Sequence, residues 1–344
     1  MMTSSSEPTE RRGVERLNEM AFGFKKTGAL LAAIDLGLFT AIAQGADTTD
    51  EVAAAVGIDS ETADRLLIVC SALDLVRTTE GRIVNCDDVE RYLVKDTPRY
   101  FGDYLRYQPR SEYDDWKDLT FHLQPSDRPV PIPMYQALMS DPDEARRFTV
   151  AGYNGSIALA HRLAKQFDFS GFTRWLDLGG GSGCYSIAAC ERNPQLTSVI
   201  MDFPNVLTIT REFVDRHNLS DRISTKPGNF VNDEYPAGCD LVSFITPLQS
   251  YMPDQVMGLL TKAVDALNPG GTLLVMDYML NDDKSGPLDP AFLNLQGVRH
   301  GHFTGRVNSG DEFRRYFEHA GAIDVDVSWV LDHQLGLVTG QKPL

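Results

Sequence analysis

The sequence predicts an α/β fold, in which a mostly parallel, doubly wound sheet follows a smaller helical domain. Three observations support this prediction: short apolar strands alternate with helical segments over residues 166–344, a glycine-rich turn follows the first strand, and residues 14–120 carry helical patterns. Strand–helix alternation is typical of parallel strands covered by helices on both faces. Residues 1–13 lack an apolar core and are predicted to be a disordered tail.

Composition narrows the class of protein. A chain of 344 residues is long enough for two domains. Its net charge of -16 argues against a nucleic-acid partner, because phosphate contacts need a surplus of Lys and Arg. No apolar run approaches the roughly 20 residues that span a bilayer, so no membrane contact is expected. The five cysteines are scattered, without a C-x-x-C pair, which favours a reducing cytoplasm over a disulfide framework or a metal cluster.

The helical domain is predicted over residues 14–120. Residues 20–45 carry apolar side chains at helical spacing and end at Gly45, and two further helices and two short β segments follow by residue 86. This order is typical of a winged-helix fold. The third helix holds one Arg against several acids, so we expect it to serve dimerisation and packing, not DNA reading. Leu30, Ile34 and Leu38 are expected to form one apolar stripe of the first helix. The second helix is expected to be capped by Thr48 or Thr49, and the third by Ser60.

Residues 121–165 are predicted to connect the two domains. They combine a Pro-rich loop at 124–134 with a helix from residue 143. Aromatic and polar residues in such a connection are candidates to line a ligand site.

The C-terminal domain is predicted over residues 166–344. Its expected strands are 174–180, 197–203, 222–230, 240–245 and 271–279, its helices are 183–193, 205–219, 253–267 and 309–321, and a closing hairpin joins 323–330 to 334–342.

The glycine-rich turn "WLDLGGGSG" indicates a nucleotide-type ligand. Glycines allow a sharp turn and a close approach of the ligand, and Asp202 ends the next strand about 20 residues further on, where an acid can accept ribose hydroxyls. Asp177 precedes the turn and would repel a pyrophosphate, but it suits a ligand with an ammonium and a sulfonium. These features favour S-adenosylmethionine, and an NAD-dependent oxidoreductase is the disfavoured alternative.

The chain resembles the class I S-adenosylmethionine-dependent methyltransferases, specifically the small-molecule O-methyltransferases with an N-terminal dimerisation domain. The motifs that carry this resemblance are "LLAAIDLGLFTAI", "LDLGGGSG", "MDFPNVL", "PGNF" and "LNPGGTLLVMD". The resemblance implies a Rossmann-like domain, a homodimer, S-adenosylmethionine as the cofactor and a small-molecule substrate. It also implies a set of cofactor contacts. These are Gly179 and Gly181 at the methionine end, Asp202 at the ribose, and Phe230 with Asn229, where the family usually has Asp, at the adenine. Asp177, Phe203 and Ser156 are further candidates for cofactor contacts.

The stretch "DLVSFITPLQSYMPDQ" (240–255) lacks the family's general base. Relatives carry "HDW" after this strand, and counting from Asp240 puts Gln249 at the His and Ser250 at the Asp, while Val307 occupies the position of a second acid. A glutamine amide can hydrogen-bond but has no pKa in the useful range. Gln249 is therefore predicted to position the acceptor without removing a proton.

The absence of a general base is explained if the methyl acceptor has no proton to lose. A thioether sulfur can attack the methyl group directly, and catalysis then reduces to alignment and exclusion of water. Within the family, the chain resembles the marine bacterial S-methyltransferases that methylate 4-methylthio-2-hydroxybutyrate on the route to dimethylsulfoniopropionate. The alternatives are an O-methyltransferase of a phenol or carboxylate, a metal-assisted C-methyltransferase of an α-keto acid, and a non-catalytic cofactor-binding regulator.

The substrate residues are sought in the segment 293–306, which lines the acceptor site in the resembling family. Arg299 lies one turn before His302 if the segment is helical, and the pair suits a carboxylate. His300 is a further candidate for a substrate contact. Together His300 and His302 form a weak metal signal without an evident acid, so no metal is predicted. Further pocket candidates are Tyr107, Gln108, Trp116 and Tyr153.

Overall fold

The computed structural model of the chain describes residues 13–125, 127, 134–299, 301–331 and 334–344. All but one residue of the predicted tail, most of the Pro-rich loop, and His300 lie outside these described residues. The chain divides into two compact units, Met1–Arg106 and Tyr107–Leu344. Among the described residues, no helix combines the length and apolar character needed to cross a membrane.

The first unit contains short helices and a two-stranded antiparallel ribbon, packed around a core that includes Phe39, Val52 and Cys70. Its elements are α1 (Val14–Ala21), α2 (Phe24–Leu36), α3 (Leu38–Ala43), α4 (Thr49–Val56), α5 (Ser60–Ala72), β1 (Val76–Thr79), β2 (Arg82–Asn85) and α6 (Asp87–Tyr92).

Two predictions for this unit are wrong and one is confirmed. The expected single helix over 20–45 is broken, because Gly37 takes a φ of 73°, which favours glycine, and ends α2. The N-cap of α5 is Asp59, not Ser60, since the Asp59 carboxylate accepts the Thr62 N–H. Thr48 caps α4 as predicted, through a reciprocal capping box with Glu51.

The second unit is a seven-stranded sheet with helices on both faces. Its helices are α7 (Gly102–Lys117), α8 (Leu119–Leu123), α9 (Met134–Leu138), α10 (Pro142–Gln166), α11 (Cys184–Arg192), α12 (Pro204–Arg216), α13 (Pro253–Ala266), α14 (Leu288–Gln296) and α15 (Gly310–His319), with α7 beginning before the division. The strands are β3 (Arg174–Leu178), β4 (Thr197–Asp202), β5 (Ile223–Pro227), β6 (Cys239–Ile245), β7 (Leu267–Tyr278), β10 (Ile323–Leu331) and β11 (Leu335–Gln341), and a small hairpin pairs β8 (Val298–Arg299) with β9 (His302–Phe303).

The sheet confirms the predicted α/β, Rossmann-like fold. The strand order is β10-β11-β7-β6-β3-β4-β5, with β3 to β7 parallel and the closing β10–β11 hairpin antiparallel. Leu176, Val242 and Leu273 on the central strands are fully buried, as expected where helices cover both faces. The chain order reverses at β3, which lies between β6 and β4. Ligands of such sheets bind at the carboxyl ends of the strands beside this reversal.

Candidate functional site

The glycine loop after β3 has the backbone that its sequence predicts. Gly179, Gly181 and Gly183 take φ values of 69°, 55° and 78°, a region that favours glycine. A side chain on Gly180 is excluded for a different reason, because its Cβ would lie 2.7 Å from Asp177 Oδ2. The glycines therefore leave the backbone of the loop accessible on one side, while on the other side the loop packs against the Asp177 carboxylate.

Asp177 lies beneath the glycine loop, at the end of β3. Its side chain is fully buried, and its carboxylate accepts hydrogen bonds from Ser186 Oγ at 2.8 Å and Ser243 Oγ at 3.1 Å. Burial raises the pKa of Asp177 to about 6. The carboxylate therefore places a titratable group directly below the glycine loop.

Asp202 lies beside the glycine loop, at the carboxyl end of β4. Its Oδ2 accepts the Gly181 N–H at 2.8 Å and its Oδ1 accepts the Phe203 N–H at 2.7 Å. Burial raises the pKa of Asp202 to about 6, against the effect of these two N–H donors. The Asp202 carboxylate, held beside the loop by these bonds, lies where the hydroxyls of a bound ribose need a hydrogen-bond acceptor.

Asn229 and Phe230 form the next part of the same edge, after β5. The Phe230 ring is close to the loop, since a Cβ on Gly179 would lie 3.0 Å from it, and it meets Tyr251 edge-on at 5.8 Å. Asn229 Oδ1 accepts the Val231 N–H at 2.9 Å. That bond occupies the amide oxygen and leaves the NH₂ group to serve as a donor to an adenine edge. The glycine backbone, the Asp202 carboxylate and the Phe230 ring together suit a ligand that consists of a nucleoside joined to a methionine.

Ser156 is on α10, which packs against α11, the helix that the glycine loop opens.

The turn after β6 contains Gln249, in a short 3-10 helix Leu248–Ser250. Gln249 Oε1 is buried and has no hydrogen-bond partner among the described residues. A buried acceptor without a donor is costly, so this atom is a place where a bound molecule adds stability. Val307, at the second-acid position, is fully buried and apolar.

Asp277 is a site residue that the sequence reasoning missed. It lies near the end of β7, the neighbour of β6, and accepts N–H bonds from Leu248 at 3.0 Å, Gln249 at 3.2 Å and Tyr278 at 2.8 Å. Burial raises its pKa to about 7, despite those bonds. Its position directly after the apolar run "LLVM" could have identified Asp277 from the sequence, just as Asp202 was identified at the end of an apolar strand.

Arg299 and His302 do not lie on a helix, although their pairing was predicted from helical spacing. α14 ends at Gln296, and the two residues face each other across the β8–β9 hairpin instead. Arg299 is bound by the Asp115 carboxylate. After the hairpin, the Gly305 backbone lies against the Gln249 turn, because a Cβ there would be 2.4 Å from the Gln249 carbonyl oxygen. His300 lies outside the described residues.

Three of the remaining candidates lie on α7. Tyr107 donates to Glu144 at 2.8 Å, Gln108 bonds Glu112, and Trp116 meets Phe292 edge-on at 5.4 Å. Glu112 also accepts from Gln296. Trp116 and Gln108 are thereby connected to α14, the helix that leads into the hairpin.

Tyr153, on α10, contacts α12 and the residue that follows it. Its hydroxyl is 2.7 Å from His217 Nε2, and its ring stacks on Phe213 at 3.9 Å.

Comparisons with known proteins agree with this geometry. Residues 115–322 match the model of the O-methyltransferase domain, and residues 18–96 match that of the O-methyltransferase dimerisation domain. The chain is 32% identical to the 3-hydroxy-5-methyl-1-naphthoate 3-O-methyltransferase of Streptomyces sahachiroi, over 95% of this chain and 94% of that one. It is 28% identical to the L-tyrosine C(3)-methyltransferase of Streptomyces lavendulae, over 80% and 77%. The structure of human N-acetylserotonin methyltransferase with S-adenosylmethionine superposes with a TM-score of 0.86, at 24% identity over the whole of both chains.

Proposed function

Because the chain belongs to the O-methyltransferase family and carries its dimerisation domain, we propose that it transfers a methyl group from S-adenosylmethionine to a thioether sulfur of a small molecule. The observation that carries the choice of acceptor is Gln249, an amide at the position where a general base is expected. The chain's membership of the family leaves the acceptor atom open, since relatives are named for methylation of oxygen and of carbon.

The cofactor is S-adenosylmethionine, and we assign its contacts to the carboxyl edge of the sheet. Gly179 and Gly181 provide the bare backbone for its methionine end, Asp202 accepts the ribose hydroxyls, and Phe230 with Asn229 borders the adenine. When bound, the cofactor supplies an electrophilic methyl group on a sulfonium.

A thioether acceptor fits the chemistry of the turn. The acceptor sulfur forms a bond to the methyl carbon as the bond to the donor sulfur breaks, so the positive charge passes from one sulfur to the other and no proton is released. Gln249 Oε1 has no hydrogen-bond partner in the described part of the chain, and the negative end of the amide dipole stabilises a nearby sulfonium. The aromatic faces of Phe230 and Tyr251 favour a cation as well.

The finer assignment is to a hydroxy acid such as 4-methylthio-2-hydroxybutyrate, with a homodimer as the active form. Arg299 and His302, paired across the hairpin, are the proposed contacts for the carboxylate and hydroxyl groups. Arg299 is shared with Asp115, so a substrate carboxylate competes with that ion pair.

Methylation of a phenolic hydroxyl is the second candidate, and Asp277 is the observation that favours it. A carboxyl with a pKa of about 7 is suited to accept a proton at neutral pH, and it lies against the backbone of the Gln249 turn. The naphthoate methyltransferase named above acts on an aromatic hydroxyl.

Turnover on matched acceptors tests the proposal. We expect the purified chain to methylate 4-methylthio-2-hydroxybutyrate, with a rate that is flat between about pH 8 and 9, where Asp277 is already ionised. Gln249→His, which restores an imidazole, should not accelerate this reaction. If instead only hydroxynaphthoates turn over, and Gln249→His raises that rate about 10²-fold or more, the thioether proposal is wrong and the second candidate replaces it.

A further inference from the structure

The carbonyl oxygen of Phe230 is bound by two side chains. It accepts hydrogen bonds from the Tyr235 hydroxyl at 2.7 Å and from Lys262 Nζ at 3.1 Å. Lys262 Nζ also lies 4.1 Å from the centre of the Tyr235 ring, within the range of a cation–π interaction. The three residues therefore form one closed cluster, which joins the loop between β5 and β6 to helix α13.

The peptide group between Phe230 and Val231 is bonded by side chains at both ends. Phe230 lies three residues past the end of β5, so strand pairing does not fix its backbone. At the N–H end, Val231 donates to Asn229 Oδ1 at 2.9 Å. At the carbonyl end, the donors are Tyr235 and Lys262. Fixing this peptide plane restricts the backbone rotation of Phe230 and, with it, the direction in which its ring points.

The Phe230 ring packs against two other aromatic rings. The residue is 8% exposed, and its ring meets Phe244 on β6 edge-on at 5.7 Å and Tyr251 edge-on at 5.8 Å. Tyr251 lies just before α13, so one stretch of chain contacts the ring of Phe230 through Tyr251 and its carbonyl oxygen through Lys262. The position of Phe230 thus depends on α13 at two separate atoms.

We infer that Lys262 and Tyr235 are positioning residues for the cofactor, and that they act through the Phe230 carbonyl to hold the Phe230 ring against the adenine. The inference rests on the cofactor contacts of the proposed function, and it is independent of the atom that accepts the methyl group. An ammonium suits this role because a charged donor forms a stronger hydrogen bond to a carbonyl than a neutral donor does. Burial raises the pKa of the Tyr235 hydroxyl, so this group remains a donor at neutral pH.

The affinity for S-adenosylhomocysteine, the demethylated cofactor, tests this role without any acceptor. It is measured by titration calorimetry on the full chain, and thermal melting checks folding. Lys262→Met removes the donor, Tyr235→Phe removes only the hydroxyl, and Lys262→Arg keeps a cationic donor. Lys342→Met is the matched control, because Lys342 Nζ donates to the carbonyl oxygens of Asp265 and Leu267 at the C-terminal end of the same helix.

Lys262→Met and Tyr235→Phe should each weaken binding about three- to tenfold, as for a lost hydrogen bond. Lys262→Arg and Lys342→Met should stay within about twofold of the wild type, since the first keeps a donor and the second removes a bond far from Phe230. Unchanged affinity in either Lys262→Met or Tyr235→Phe, or an equal loss in Lys262→Arg or Lys342→Met, would overturn the inference.

A double-mutant cycle shows whether Lys262 acts through Phe230. Phe230→Leu keeps an apolar side chain and removes the aromatic face, and it should itself weaken binding. Adding Lys262→Met to Phe230→Leu should then cause little further loss, because the ring that Lys262 positions is gone. Losses that multiply would show that Lys262 acts independently of the ring and would contradict the inference. If Phe230→Leu fails to fold, the single variants decide.

The two proposals fail separately. Weaker binding of S-adenosylhomocysteine by the variants, with no turnover of any thioether, would retain this inference and remove the proposed acceptor. Thioether turnover with unchanged binding would do the reverse. If both hold, Lys262→Met should raise the KM for S-adenosylmethionine by a larger factor than it lowers kcat.

Discussion

The backbone N–H of Gln249 donates to the Asp277 carboxylate at 3.2 Å, which ties the turn after β6 to the carboxyl end of β7. Leu248 donates to the same oxygen at 3.0 Å. The end of β7 thus carries a carboxylate that binds the backbone of the turn, while the side chain of Gln249 is a neutral amide. Asp277 thereby fixes the backbone from which the Gln249 side chain extends.

Buried carboxyls should make stability fall as pH rises. The pKa of Asp277 is raised from about 4 in an unfolded chain to about 7, so between these values the folded state binds more protons than the unfolded state. Its contribution to the free energy of unfolding then falls with pH, by up to about 1.4 kcal/mol per pH unit, and is constant above pH 7. Asp277→Asn should remove this part of the slope in denaturant titrations at pH 5, 6, 7 and 8. Parallel slopes for wild type and variant would contradict the assignment.

Glycines in the loop and in the helices should respond oppositely to alanine. Gly180→Ala puts a Cβ 2.7 Å from Asp177 Oδ2 and 2.9 Å from Ile200, so we expect at least tenfold weaker binding of S-adenosylhomocysteine by calorimetry. Gly258→Ala in α13 meets nothing within 4 Å and should stabilise the fold by about 0.5–1 kcal/mol. Equal cofactor affinity in the two variants would show that the loop does not require a bare Gly180.

The ion pair of Asp115 with Arg299 should control affinity for carboxylate acceptors. If Arg299 binds the substrate carboxylate, Arg299→Gln should raise its KM about tenfold, whereas Asp115→Asn, which removes the competing acid, should lower it or leave it unchanged. A thioether without a carboxylate is the matched control and should show the same KM in all three proteins. A higher KM for both substrates in both variants would indicate that the pair only holds the hairpin in place.

The exposed face of α1 should mediate self-association. Val14, Leu17 and Met20 follow a three-residue spacing and are 72%, 56% and 67% exposed, which is unusual for apolar side chains in water. Met20 lies in the region that matches the dimerisation-domain model, residues 18–96, and Val14 and Leu17 lie just before it. Leu17→Glu with Met20→Glu should convert a dimer to a monomer in light scattering after gel filtration, while Leu288→Glu, on an exposed apolar residue of the second unit, should not. A dimer that survives the double substitution would move the interface elsewhere.

The sequence alone determined the sheet, the glycine loop and the acid at the end of β4. These features depend on local rules: alternation of strands with helices, glycine where φ is positive, and a fixed spacing from the loop to Asp202. The unusual Gln249 was equally visible, because it is a departure from a motif at a known place in the chain.

Only the tertiary structure decided which side chains meet around the glycine loop and Gln249. Asp177 is bound beneath the loop by Ser186, only nine residues away on α11, and by Ser243 on β6, which is 66 residues away in sequence. Asp277 is 28 residues from Gln249, whose backbone N–H it accepts. Contacts of this kind depend on which strands are neighbours in the sheet. That order is set by packing of the whole domain, and no short segment of sequence records it.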